Sequence, residues 1–485
     1  MACRRVLLWV GVMCVLVLMK PVGSRACDTW VAMSDQTTCG YVIHAKNSDR
    51  PIFGCQPLVY NAAKNWPADA EIDLVRTKIP QAPRTYATLG SSPYWSWGYE
   101  EGINEYSVAI GNEAIWTKEL AADAAAHRAG KGPKFGPNGM DLVRLGLERG
   151  RTARESLDAI AAVVARHGQF GSASPTRGIS GGYHNSFIIA DPKEAWILET
   201  AGTHWVAKRI RKGSTSISNG ISLGTDMDLK SAEVVSHAVS KGWWPVDKPD
   251  EFHFQHAYSP RTQKDDPIVT RVHGRAACSR RMLAEKPGKV DVRWMMSIAR
   301  CRQIGLNITA SSAVSVLPDT DAELPVYWWC PSTPAASCYV PFFVHGSGVP
   351  KIVSTAGTHG NVVEPPSKTK RDKFSDKSYW WLVRDLADKV RSDPKVRGPI
   401  VRKAFDALEI EFQKGVGDIV KAAAKLRKGG KTQAAAKILD AYTAACLDKA
   451  LIRIKSLRDR FSGEVGDKRP GDGFRDIVGP KRRGA

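Results

Sequence analysis

Cys27 is the first residue whose type and position suggest chemistry. It follows Ser24-Arg25-Ala26, and small residues at the third and first positions before a cut are what a signal peptidase requires. Upstream, Arg4 and Arg5 precede an uncharged apolar run from Val6 to Met19, which Lys20 and Pro21 break. That run falls short of the roughly 20 residues of a membrane span. The expectation is an exported chain, periplasmic or extracellular, cut between Ala26 and Cys27; an uncleaved N-terminal anchor is the alternative. Cleavage gives Cys27 a free α-amine. Such an amine titrates at about 7.7–8.0, so at neutral pH it can take the proton of its own thiol. The thiolate is the attacking species, and a nucleophile served by the N-terminal amine is an established covalent strategy.

The segments that must position Cys27 read mostly as strands. Thr29–Met33 and Tyr41–Ala45 are two strands joined by a polar turn. Tyr106–Gly111 is a short buried strand. Ser186–Ala190 and Ala195–Glu199 flank Asp191-Pro192-Lys193-Glu194, a hairpin signal, and Thr203–Ile210 alternates as a third strand. Two helices stand out. Met140–Glu148 is amphipathic, and Thr152-Ala153-Arg154-Glu155 is a capping box opening a helix to His167, which Gly168 closes. Residues 243–275 show no sustained period and read as an irregular excursion. Val326–Val344, rich in Trp, Tyr, Phe and Pro, reads either as a loop over the core or as a wall of a substrate pocket that includes Trp328. From Lys377 the chain turns helical, at Ser378–Val390, Val401–Gln413 and Thr432–Lys455.

Several blocks resemble the secernin and bacterial dipeptidase family. They are Cys27-Asp28-Thr29-Trp30-Val31-Ala32, then Ala45-Lys46-Asn47-Ser48-Asp49-Arg50-Pro51, then Ile110-Gly111-Asn112-Glu113-Ala114-Ile115-Trp116-Thr117. Tyr183-His184-Asn185-Ser186 through Asp191, Ala195–Thr200 and Ile217-Ser218-Asn219 continue the likeness, which covers most of 27–410. The resemblance implies an N-terminal nucleophile (Ntn) hydrolase: an α+β fold, a four-layer αββα sandwich, here with a C-terminal helical extension. It implies a cysteine-type dipeptidase acting on short peptides without a cofactor. By the same resemblance Asp49 orients the N-terminal amine, Asn112 helps form the oxyanion hole, and Asn219 holds the amine or joins that hole. Arg280 matches the arginine of the amidase relatives, with Arg281 as its neighbour and alternative. Trp116 and Trp328 are substrate-binding candidates. His184 is set aside as a structural or pocket residue, because an α-amine base makes a Cys–His dyad unnecessary. The alternatives are an N-acyl amidase of the penicillin or bile-salt type, and a non-catalytic secernin-like scaffold.

Composition bounds the rest. The formal charge is +21, and loss of the leader, which carries four cations and no acid, leaves +17. Lys468–Arg483, near the C-terminus and rich in Lys, Arg, Gly and Pro, is read as a disordered tail and a candidate for contact with an anionic cell envelope; no specific nucleic-acid partner is indicated. The expected division is leader 1–26, hydrolase domain 27–370, helical region 371–462 and basic tail 463–485. Eight cysteines remain after cleavage. Cys330 with Cys338, and Cys39 with Cys55, are candidate disulfides, though pairing is not fixed by sequence. No Cys/His spacing suits zinc, so no metal site is expected.

Overall fold

A computed structural model describes residues 27–462, apart from 52, 176, 261–266 and 320–322. The expected leader and basic tail lie outside the described residues. Two antiparallel sheets dominate. The first has six strands, in the order β14 (Ser214–Ile217), β1 (Asp28–Ala32), β2 (Val42–Asp49), β16 (Thr309–Leu317), β17 (Val326–Pro331) and β18 (Val340–Phe342). The second has eight, in the order β15 (Leu229–Lys230), β13 (His204–Ile210), β12 (Ala195–Ala201), β11 (His184–Ala190), β10 (Ala109–Ile115), β9 (Glu101–Asn104), β8 (Thr88–Ser91) and β3 (Leu58–Asn61). Two short ribbons pair β4 (Lys64–Asn65) with β7 (Arg84–Thr85) and β5 (Glu71–Asp73) with β6 (Lys78–Pro80).

The helices cover the outer faces. α1 (Lys118–Arg128) follows β10; α2 (Gly139–Arg149) and α3 (Ala153–His167) pack on the second sheet. After α4 (Val234–Ser240) and α5 (Phe254–Tyr258), α6 (Pro267–Ala284) lies on β14 and β1, and α7 (Val292–Arg300) on β2 and β16. α8 (Lys351–Ser354) touches β3; α9 (Tyr379–Ser392), α10 (Pro394–Lys428) and α11 (Thr432–Arg460) close over β17 and β18. The chain is thus an α+β, four-layer αββα sandwich. Face-to-face sheets each need a helical cover for the side that does not meet its partner.

Local chemistry explains most of these elements. Asn138 begins α2 with a complete capping box, its Oδ1 accepting from Asp141 N while Asp141 accepts from Asn138 N. Thr152 accepts from Glu155 N at 3.1 Å, but Glu155 reaches Arg151 N, so the box foreseen at α3 is half made. Gly168 ends α3 at φ +63, a conformation that suits glycine.

Three expectations need correction. The excursion at 243–275 contains α5 and the start of α6. Val326–Val344 is β17 and β18, not a loop, and Trp328 is 1% exposed, facing Val314 and Pro341 across the sheet; it offers no surface to a substrate. Cys330, Cys338, Cys39 and Cys55 are all free thiols. The C-terminal helices share one core with the sheet: Leu386, Phe405, Leu439 and Leu457 cluster with Trp329 and Phe342.

Candidate active site

Strand alternation decides what Cys27 meets. Along β1, Thr29 and Val31 face the second sheet, while Asp28 and Trp30 face the helices. The register aligns Thr29 with Lys46 of β2, and Asp28 with Asn47. Opposite them on β10, Gly111 and Glu113 point inward. Thr29 Oγ1 donates to Glu113, and Lys46 Nζ lies 3.6 Å from Glu113 and 3.9 Å from Glu100, donating also to the Asn112 carbonyl. A methyl group on Gly111 would stand 2.8 Å from Lys46 Cδ and 2.9 Å from Thr29 Oγ1, so only glycine lets the lysine stem pass.

Cys27 sits at the open end of β1, 6% exposed. Its Sγ accepts from Asp49 N at 3.3 Å. Its carbonyl accepts from Arg275 Nη2 at 2.9 Å and Ser218 Oγ at 3.3 Å. Burial pushes the thiol up to about 11, Lys46 opposes that rise, and Glu113 and Asp49 add to it. Burial also works against the Lys46 ammonium, but Glu113, Cys27 and Glu101 outweigh it and hold the pKa above its ordinary value. In the chain as it stands, then, the thiol is protonated at neutral pH beside a permanent cation.

A cluster of carboxyls surrounds this pair. Asp49 accepts from Thr309 Oγ1 at 2.6 Å; burial raises it to about 8 against the pull of Arg275. Asp28 pairs with Arg275 and is raised by burial to about 6. Glu113 is raised by burial to about 8, with Lys46 opposing. Asp49 Oδ2, Asp28 Oδ1, Glu113 Oε2 and Asn219 Oδ1 are buried without a hydrogen-bond partner. Buried acceptors are ordinarily paired, so the pocket around Cys27 is short of donors.

The sequence candidates fall into two groups. Cys27 and Asp49 meet directly. Asn219 follows β14 by two residues, next to Ser218, which donates to the Cys27 carbonyl; its Nδ2 donates to Ala114 O at 2.9 Å. Asn112 is not brought in by its side chain. It points to the helical face, donating to Asn185 Oδ1 at 2.9 Å beneath α2, and only its backbone carbonyl reaches the site. Arg280 is likewise displaced. Its Nη1 donates to Ser216 O at 3.0 Å, and it lines a cavity of about 340 Å³ with Lys208, His273, Ser216, Ser218 and Ser222. Arg281 faces solvent near Glu285. Trp116 is 37% exposed after β10. His184 is buried between Thr117 and Gly202, and burial lowers it to about 3, so it is neutral. Sequence reasoning missed Lys46, Glu113 and Arg275. Lys46 and Glu113 lay inside the quoted blocks, and the alternation of β2 and β10 was the signal that could have found them.

Fold and site together define an α+β sandwich with a cysteine at the head of an inner strand, ringed by buried carboxyls. The pattern of peptidase family C69 matches residues 26–283, over half of the chain, and the chain belongs to that family. A stretch of 201 residues is 28% identical to a dipeptidase of Bifidobacterium longum (strain NCC 2705), covering 38% of this chain. It spans 35%, about a third, of that relative's length. Among solved structures, an N-acylethanolamine-hydrolyzing acid amidase ortholog of Caenorhabditis elegans matches at TM-score 0.29 and 15% identity, over 60% of this chain and 94% of that one. A mutant conjugated bile acid hydrolase of Clostridium perfringens matches at 0.35 and 10%, over 73% and 98%. No residue role follows from likenesses this distant.

Proposed function

We propose that the chain is an exported dipeptidase, cut between Ala26 and Cys27, that hydrolyses the amide bond of short peptides through Cys27. The observation that carries this reading is the donor shortage around Cys27. An α-ammonium has three N–H groups, and Asp49 Oδ2 and Asn219 Oδ1 are buried acceptors without a partner at the head of β1. Releasing the amine there would supply the missing donors and place a base beside the thiol. Membership of peptidase family C69 supports the reaction class.

In the proposed reaction, the neutral amine takes the Cys27 proton, and the thiolate attacks the peptide carbonyl. The developing oxyanion lies against the Lys46 ammonium; a preorganised cation in a dry site of this kind contributes several kcal/mol to lowering the barrier. The ammonium of Cys27 then protonates the leaving nitrogen, the C–N bond breaks, and a thioester remains. Water, deprotonated by the same amine, attacks the thioester and releases the acid and the thiol. Asp49 and Asn219 hold the amine, and Arg275 fixes the Cys27 carbonyl so that the residue does not swing. The cation-lined cavity holding Arg280 shares Ser218 with the site, and suits the free carboxylate of a dipeptide.

The test is the secreted protein's intact mass and N-terminal sequence, together with hydrolysis of dipeptides and of N-acyl amino acids. A chain beginning at Cys27 that cleaves dipeptides supports the proposal. Active material retaining its leader, or starting elsewhere, refutes it. Preference for N-acyl substrates would move the chain to the amidase class. Labelling of Cys27 no faster than the other cysteines would indicate a scaffold.

A further inference from the structure

Two thiols outside the site just described lie within reach of each other. Cys278 is on α6 and is 4% exposed; Cys301 caps the C-terminus of α7 and is partly exposed. Their sulfurs are 3.6 Å apart. A disulfide holds its sulfurs at about 2.05 Å, so they must close by about 1.6 Å, which side-chain rotation can supply. The two helices already meet here, with Trp294 Nε1 of α7 donating to Met282 O of α6 at 2.9 Å. Burial and the neighbouring Cys301 push the Cys278 thiol up to about 11, and Arg281, whose Nη2 stands 3.8 Å from that sulfur, opposes the rise.

The position of the pair gives it a consequence. One turn before Cys278, Arg275 grips the Cys27 carbonyl and Asp28. Around it, Ala276 O accepts from Ser216 Oγ, and Arg280 donates to Ser216 O. On the other side, α7 rests on β2, where Asn47 Nδ2 donates to Ala299 O at 2.9 Å. β2 carries Lys46 and Asp49. A bond between the helices would therefore tie the arginine that holds Cys27 to the strand that carries its other partners.

We infer that Cys278 and Cys301 form a thiol-oxidation site, which reacts with a small disulfide oxidant and closes into a bond pinning α6 against α7. The more exposed Cys301, as thiolate, attacks the oxidant's disulfide, forming a mixed disulfide and releasing one thiol. The Cys278 thiolate then displaces the second thiol from Cys301. The two protein sulfurs lose two electrons and two protons, and the oxidant is reduced to two thiols. The step is independent of whether Cys27 is the nucleophile.

The test treats the folded full chain with oxidised glutathione, blocks free thiols by alkylation and maps peptides without reduction. The expected result is a linked pair of peptides containing Cys278 and Cys301, lighter by two hydrogens than the reduced pair. In Cys278→Ser the mixed disulfide should persist on Cys301, because the resolving thiol is gone. The oxidised wild type should melt higher by on the order of 5 °C, since the bond restricts the unfolded chain between the two cysteines. Neither Cys278→Ser nor Cys301→Ser should show that rise. A persistent glutathione adduct on Cys301 in the wild type, or a link from either cysteine to another partner, overturns the inference. The wild-type map decides the matter even if a variant folds poorly.

Discussion

Two buried polar regions lie on opposite faces of β10, one residue apart. On the helical face, Asn112 donates to Asn185, Asn185 to Gln169, and Gln169 to the Gly202 carbonyl, with Thr200 also donating to Gln169. These groups are neutral and the amide donors have acceptors, with Asn112 Oδ1 the atom left without a partner. On the inner face, Glu113 and Lys46 are ionisable and Glu113 Oε2 is unpaired, and at the end of β1 the carboxyls of Asp28 and Asp49 each leave one oxygen unpaired as well. A neutral hydrogen-bonded network rigidifies a fold. Carboxyls with displaced pKa values gather at reaction sites more than at ordinary structural positions. The difference argues that the chemistry faces the gap between the sheets, and that Asn112 belongs to the support.

Four experiments sharpen or break that contrast. The largest effect is expected from Cys27→Ala, which should lower dipeptide turnover by at least about a thousandfold with little change in melting temperature. Full activity in this variant would end the assignment of the inner face. Next, Lys46→Met should lower kcat/KM about a hundredfold or more. It should also cost about 1–3 kcal/mol in denaturant unfolding, since the Asn112 carbonyl and Glu113 lose a buried donor. Third, Asn112→Ala should cost about 1–3 kcal/mol of stability by stranding Asn185, while activity per folded molecule stays within about fivefold. A hundredfold loss of kcat there would return Asn112 to the oxyanion hole.

The smallest effect is a pH slope. In the chain with Ala26 attached, Asp49 is held at about 8, above its ordinary 3.8. Between those values the folded state binds the proton more tightly than the unfolded chain. Stability from this group is therefore full at the low end and lost as pH rises from about 4 to about 8. Asp49→Asn should flatten that slope in melting temperature, with Glu113 and Asp28, raised likewise, keeping the remainder. Release of the Cys27 amine should flatten it too, because an ammonium beside Asp49 favours the carboxylate. An unchanged slope after cleavage would mean the amine does not meet Asp49.

Much of this arrangement was legible in the sequence because it is local. The turn Asp191-Pro192-Lys193-Glu194, the cap at Thr152 and the stop at Gly168 each act within a few residues. Cys27 and Asp49 meet, and Ser218 reaches the Cys27 carbonyl, because β1, β2 and β14 are neighbours in one sheet. What stayed hidden depends on tertiary facing. Family likeness singled out Asn112, yet a strand turns successive side chains to opposite faces, and Glu113 is the inward one. Arg280 and Arg275 differ by just over one helical turn, and only the seat of α6 on β14 determines which of them reaches Cys27. The aromatics of Val326–Val344 looked like a loop because Pro331 and Pro341 interrupt them; Pro341 falls in β18, an outermost strand, where a missing N–H is tolerated.

The first sheet is assembled out of chain order. β16, which supplies Thr309 to Asp49 and pairs with β2 from Val42 to Asp49, comes after the stretch that matches the family pattern. A protein trimmed to that stretch would present a whole row of unpaired amides and carbonyls along β2, beside Cys27. Such an edge recruits foreign strands. The recognisable half of this molecule is therefore no minimal folding unit, and it becomes one only with the segment that gives that strand its neighbour.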